Sequence, residues 1–149
     1  MAFLLWHLQA RHADGTRRQL LFARSRAALW LLTALLCSGL LVAGLKIVFG
    51  RARPRLLFEQ GFYGFDFFSG LDWTKQSFPS GHSQTIWVAM TVLAVLWPNC
   101  RLAFIVVGGL VSTSRVVTTV HYLSDVVMGT FLGIACTVLL RNLFYHRDH

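Results

Sequence analysis

Charge is what this sequence has least of. Only 13% of its 149 residues are Asp, Glu, Lys or Arg, whereas 55% are hydrophobic and the mean hydropathy is +0.56. That excludes an ordinary soluble domain, because the apolar residues come in runs that approach the thickness of a bilayer. Acids are the scarcest charges: six Asp and Glu stand against fourteen Lys and Arg, for a formal net charge of +8. In a soluble chain that imbalance would point to nucleic acid. Here the basic residues mostly flank apolar runs, as cytoplasmic anchors of spans do, and no nucleic-acid partner is expected. The three cysteines, Cys37, Cys100 and Cys136, match no metal-ligand spacing and read as free thiols. A cleaved leader is not indicated either: MAFLLWHLQARH runs apolar first and basic afterwards, so it reads as the stub of a span or an interfacial segment. Low-complexity tracts and internal repeats are missing as well.

What is present is an all-α pattern, a polytopic bundle of about four spans behind an N-terminal helical stub. The spans run from Ala27 to Phe49, Ser80 to Trp97, Leu102 to Val120 and Ser124 to Leu140. At about 1.5 Å per residue they reach roughly 25 to 35 Å, the second and fourth being short. Residues 1–26 read as the stub and a basic cytoplasmic loop, 50–79 as an outer loop, and all 149 as one membrane-embedded domain. Arg11, Arg17, Arg18, Arg24 and Arg26, then Arg101, then Arg141 and Arg147 fall on one side if the spans alternate, which makes that side cytoplasmic. The loop from Gly50 to Pro79 goes against the rule with Arg51, Arg53, Arg55 and Lys75, and those cations require another reason. Its aromatics (Phe58, Phe62, Tyr63, Phe65, Phe67, Phe68, Trp73 and Phe78) suit interfacial anchoring, or a lip that guides an amphiphile. Gly129 and Gly133 form a GxxxG pair that lets a neighbouring helix come close.

The unusual polar residues gather at the outer end. Lys46 lies in the last turn of the first span, Arg53 just beyond it, Pro79 to His82 at the start of the second, Arg115 and His121 near the end of the third, and Asp125 at the start of the fourth. An arginine about 9 Å deeper than His121 is costly in a span. Three cations beside one acid leave positive charge in excess, which calls for an anion. FPSGHSQT adds a helix start at Pro79 and Ser80, and Gly81 lets the backbone approach a ligand with its N–H aimed outward. Together these residues read as an oxyanion cradle suited to phosphate.

His121 and Asp125, at i and i+4, are close enough for the carboxylate to accept an imidazole N–H and to aim the other ring nitrogen as a nucleophile; His82 can serve as general acid and then base. The residues alone leave open which histidine attacks. Two histidines and an aspartate could in principle ligate zinc, but three cations in the same pocket would repel it, so no metal or other cofactor is expected. His7, His12, His146 and His149 are read as solvated.

These positions carry a resemblance. KIVFGRARP fits K-x6-R-P (Lys46, Arg53, Pro54), PSGH stands as it is (Pro79 to His82), and SRVVTTVHYLSD fits S-R-x5-H-x3-D (Ser114, Arg115, His121, Asp125). The chain resembles the type 2 phosphatidic acid phosphatase superfamily, which includes integral-membrane lipid phosphate phosphatases and soluble vanadium haloperoxidases. The resemblance implies a metal-independent phosphatase acting through a phosphohistidine. His121 would be the nucleophile, Asp125 its partner and His82 the proton donor, with Lys46, Arg53, Arg115, Ser80 and the Gly81 backbone holding the phosphoryl oxygens. Membrane members typically have six spans, so the resemblance also implies a core without the first two, Met1 to Gln9 looking like the tail of the second. Exposed faces would then need lipid or a second copy of the chain.

The expected substrate is a lipid phosphate or diphosphate of the phosphatidic acid, phosphatidylglycerol phosphate, undecaprenyl diphosphate or lipid A type. The expected location is a bacterial inner membrane, with the site on the non-cytoplasmic face. The alternatives are a vanadate-dependent haloperoxidase and a non-catalytic lipid-binding protein.

Overall fold

The computed structural model describes residues 15–145. They form five helices: α1 (Gly15–Phe49), α2 (Pro54–Gln60), α3 (Gly81–Leu96), α4 (Arg101–Val117) and α5 (Leu123–Phe144), with one-turn 3₁₀ segments at Trp73–Lys75 and Pro98–Cys100. The helix ends follow from local chemistry. Gly50 turns α1 off at φ +50°, Pro54 opens α2 and Gly61 closes it at φ +68°, and Pro98 stops α3.

Among the described residues, three segments are long and apolar enough to cross a bilayer (Gly15–Phe49, Pro98–Val117 and Leu123–Phe144), and the chain is an integral membrane protein of all-α architecture. The second expected span is α3, an apolar helix of 16 residues, or about 24 Å.

Three expectations are corrected. Residues 15–26 are not a loop: α1 is one continuous helix of 35 residues, because nothing between Thr16 and Arg26 is a proline or glycine. The third span stops at Val117 rather than Val120, where the chain turns with Thr119 at φ +55°. The fourth is longer than expected, from Leu123 to Phe144. The stub at Met1 to Gln9 lies outside the described residues.

α3 stands at the centre, packed on α5, α4 and α1. Helices in lipid gain little from apolar burial against one another, so association rests on close approach and interhelical hydrogen bonds. Both are present. A Cβ at Gly129 would stand 2.3 Å from the Ser80 carbonyl oxygen and one at Gly133 2.6 Å from that of Gln84, so the GxxxG pair lets α5 touch the α3 backbone. Trp30 Nε1 donates to the Thr137 carbonyl (3.0 Å), Gln84 Nε2 to Ser38 Oγ (2.6 Å) and Trp87 Nε1 to Ser112 Oγ (3.0 Å). Accordingly α1 buries Ser25, Trp30, Ala34 and Ser38 and turns Leu32, Leu36 and Leu40 outward, the reverse of a helix in water.

Candidate active site

The loop between α1 and α3 lies flush against the end of α1, and two glycines permit it. A Cβ at Gly50 would be 1.9 Å from the Asp66 carbonyl oxygen, and one at Gly70 1.9 Å from that of Lys46. Backbone bonds fasten the loop: Phe68 N donates to Val48 O (2.9 Å), Arg53 N to Thr74 O (2.9 Å) and Ser77 N to Arg51 O (3.0 Å). Closure therefore brings Arg51, Arg53 and Ser77 to the point where α4 ends and α5 begins.

Asp125 sits there, wholly buried, and its oxygens are fully engaged. Arg51 Nη1 donates to Oδ1 (2.5 Å), while Ser77 Oγ (2.5 Å) and the Tyr122 amide (2.9 Å) donate to Oδ2. Arg51 also donates to Ser124 Oγ (2.6 Å) and lies among the rings of Tyr122, Phe65 and Tyr63, at 4.4, 5.1 and 6.0 Å from their centroids. A buried guanidinium against a buried carboxylate needs such partners.

The His121–Asp125 bond expected from the spacing is not made. Nδ1 of His121 donates to the Ser77 carbonyl at 2.8 Å, and the carboxylate lies 3.7 Å away, within ion-pair range but beyond a hydrogen bond. The helix has already ended before His121: α4 stops at Val117, Arg115 O receives the amides of Val120 and His121, and α5 starts at Leu123. Because a carbonyl only accepts, Nδ1 carries the proton, and in the neutral ring Nε2 keeps a lone pair. Arg51 and Ser77 were not singled out by sequence. The available signal was Arg51 on the wrong side for the positive-inside rule, but its partner lies 74 residues away.

The structure brings the remaining polar residues near one another, with one exception. The charges of Arg115, His121, Lys46 and Arg53 all act on His82, which opens α3 and makes no hydrogen bond among the described residues. Lys46 Nζ lies 3.9 Å from where a Gly81 Cβ would stand. The exception is Ser80. Its side chain is wholly buried and Oγ accepts from Ser83 N (3.4 Å) and Ser83 Oγ (3.1 Å), so it caps α3 rather than facing a ligand. The first amides of α3 beside it have no preceding turn to bond to and stay available to an anion.

The described carboxylates are all committed elsewhere. Glu59 pairs with Arg55, Asp66 with Lys75 and Asp125 with Arg51, and Asp72 caps the turn at Thr74. Lys46, Arg53 and Arg115 therefore have no carboxylate partner among the described residues; Arg53 Nε reaches the Trp73 carbonyl (3.0 Å) and Arg115 Nε only Ser114 Oγ, at 3.5 Å. Burial pulls the Arg53 guanidinium below its ordinary value, with Asp125 acting the other way. From this cluster an open groove of about 770 Å³ runs down between α1 and α3, lined by Gly39, Val42, Ala43, Ile86, Ala89 and Val111 below Lys46 and His82.

The model of the PAP2 superfamily matches residues 27–148. Among curated proteins, one named lipid A 1-phosphatase from Rhizobium etli is 40% identical over 104 residues, 70% of this chain and 44% of its own length. Another of the same name, from Rhizobium johnstonii, is 39% identical over 107 residues, 72% and 43% of the two chains. The chain thus spans less than half the length of these relatives. No solved structure matches.

Proposed function

The chain belongs to the PAP2 superfamily, and from that premise we propose that it removes phosphate from a lipid-linked phosphate, without a metal, through a phosphohistidine. The observation that carries this reading is the trio Lys46, Arg53 and Arg115, without carboxylate partners among the described residues, beside two histidines at the head of an apolar groove. Uncompensated cations at the edge of a bilayer are costly and are retained where an anion binds. Among lipid phosphates, the names of the relatives favour a lipid A-type substrate.

His121 is the nucleophile in this reading. Its Nε2 lone pair attacks phosphorus, the bond from phosphorus to the leaving oxygen breaks with its electron pair on that oxygen, and protonated His82 supplies the proton. Lys46, Arg53, Arg115 and the Gly81 amide hold the other phosphoryl oxygens as charge redistributes. Phosphorylated His121 is cationic, with Nδ1–H still on the Ser77 carbonyl and the Asp125 carboxylate 3.7 Å away to offset the charge. Water then attacks phosphorus, His82 takes its proton, and the P–N bond breaks to return the pair to Nε2. Ser80 serves from beneath, by holding the start of α3.

The site faces the non-cytoplasmic side of a bacterial inner membrane. Each outer-loop cation has a reason to be there other than anchoring: Arg51 binds Asp125, Arg55 binds Glu59, Lys75 binds Asp66, and Arg53 binds substrate.

The test is phosphate release in detergent, with EDTA present, from lipid A, phosphatidic acid, phosphatidylglycerol phosphate and undecaprenyl diphosphate. Release is expected from wild type, strongest on lipid A, and is lost in His121→Ala and on adding vanadate. A need for added metal, or activity surviving loss of His121, overturns the mechanism.

A further inference from the structure

Ser77 belongs to none of the three motifs, yet three of its groups reach three parts of the site. Its N–H donates to Arg51 O (3.0 Å), its Oγ–H to Asp125 Oδ2 (2.5 Å), and its carbonyl receives Nδ1–H of His121 (2.8 Å), all with the residue at 0% exposure. The hydroxyl and the Tyr122 amide are what hold Oδ2, and that oxygen is 3.7 Å from Nδ1.

We propose that Ser77 is a positioning residue for the hydrolysis: its carbonyl aims the His121 ring, and its hydroxyl holds the Asp125 carboxylate beside Nδ1 instead of on it. The inference rests on His121 being the nucleophile. Held this way, the ring keeps its proton on Nδ1 and its lone pair on Nε2, and the carboxylate stays close enough to offset the charge that forms when Nε2 is phosphorylated. The charged and titratable groups around His121 are Asp125 from α5, Arg51 from the loop, Arg115 at the end of α4, His82 at the start of α3 and the neighbouring Tyr122. Lys46 and Arg53 act on the same cluster through His82. Of these, only the Asp125 carboxylate is an anion, and Ser77 binds both it and the ring.

The experiment measures kcat and KM for full-length wild type, Ser77→Ala, Ser77→Cys and Ser77→Thr in micelles, alongside ¹⁵N NMR of the His121 ring, which reads its tautomer. Ser77→Ala is expected to lower kcat at least about tenfold with KM within about twofold. Ser77→Thr, which keeps the hydroxyl, restores kcat; Ser77→Cys, a weak donor, falls between and carries the test if the alanine variant does not fold. In wild type the NMR spectrum shows the proton on Nδ1. A wild-type ring with its proton on Nε2, an unchanged kcat in Ser77→Ala, or a threonine variant as impaired as alanine, overturns the proposal. If wild type releases no phosphate, or His121→Ala still does, it is the hydrolysis reading that fails, while the NMR spectrum still decides which ring nitrogen Ser77 binds.

Discussion

At the scale of single residues, the pair Arg51 and Asp125 matters most, at 6% and 0% exposure. Removing one member of a buried pair strands the other charge, which costs about 3–5 kcal/mol. Arg51→Ala should therefore lower the thermal unfolding midpoint in micelles sharply and abolish activity, and adding Asp125→Asn to it should cost less than the two single changes summed. A double variant as unstable as the sum would mean that the two residues act independently. The same pair explains how the site keeps its excess of positive charge. If Arg115 held Asp125, as the short distance in sequence would allow, one fewer cation would face the groove.

Elements meet here through missing side chains. Gly129 is where the backbone of α5 touches that of α3, one residue before the Gly81 amide, so a Cβ there must push apart the two helices that carry Asp125 and His82. Gly129→Ala should destabilise by about 1–3 kcal/mol, as overpacking does, and reduce activity. Gly109→Ala, on α4 with open space around it, should be neutral or stabilise by up to about 1 kcal/mol through helix propensity. Similar unfolding midpoints for the two variants would show that α3 and α5 are not packed as described. The outer loop has its own dependence on pH. The hydrogen bond from Lys75, at 2.5 Å, holds the Asp66 carboxyl below its ordinary value and raises Lys75 above its own. For a depressed acid the stabilisation is complete above its unfolded value of 3.8 and is lost as pH falls through the folded one; for the raised lysine it is present below 10.5 and lost above. Proteolysis of the loop around Asp66 should thus be slow between about pH 4 and 10 and rise outside that window, modestly, because the pair is partly solvated. Asp66→Asn should remove the acid-side rise.

For the whole molecule, the outward leucines of α1, α4 and α5 require lipid or detergent. Orientation can be read by thiol labelling. A cysteine at Gly70 would strike the Lys46 carbonyl, but Leu71 is 83% exposed in the same loop, and the native Cys100 is exposed at the turn between α3 and α4, at the other end of α3. An impermeant reagent applied to intact cells should label Leu71→Cys and leave Cys100 unlabelled until the membrane is opened. The reverse pattern would place the site in the cytoplasm.

Much of this was legible in the sequence, because it depends on what residues are rather than where they go. Low charge and long apolar runs imply helices in lipid, and GxxxG implies close packing. Three cations at span ends with too few acids imply an anion site, whatever the pairing. The pairing itself was not legible. The spacing of His121 and Asp125 suggested a direct bond, but that geometry holds only on a continuous helix, and the chain turns between Val117 and Leu123. Loop closure then brings donors from 48 and 74 residues away to Asp125 and a carbonyl from 44 residues away to His121. Composition and motif determined that cations and histidines gather at this end of a membrane bundle. Only the tertiary structure decided which cations are left without a carboxylate partner among the described residues and which ring nitrogen keeps its lone pair, because a buried hydrogen bond goes to whatever donor the fold places within about 3 Å.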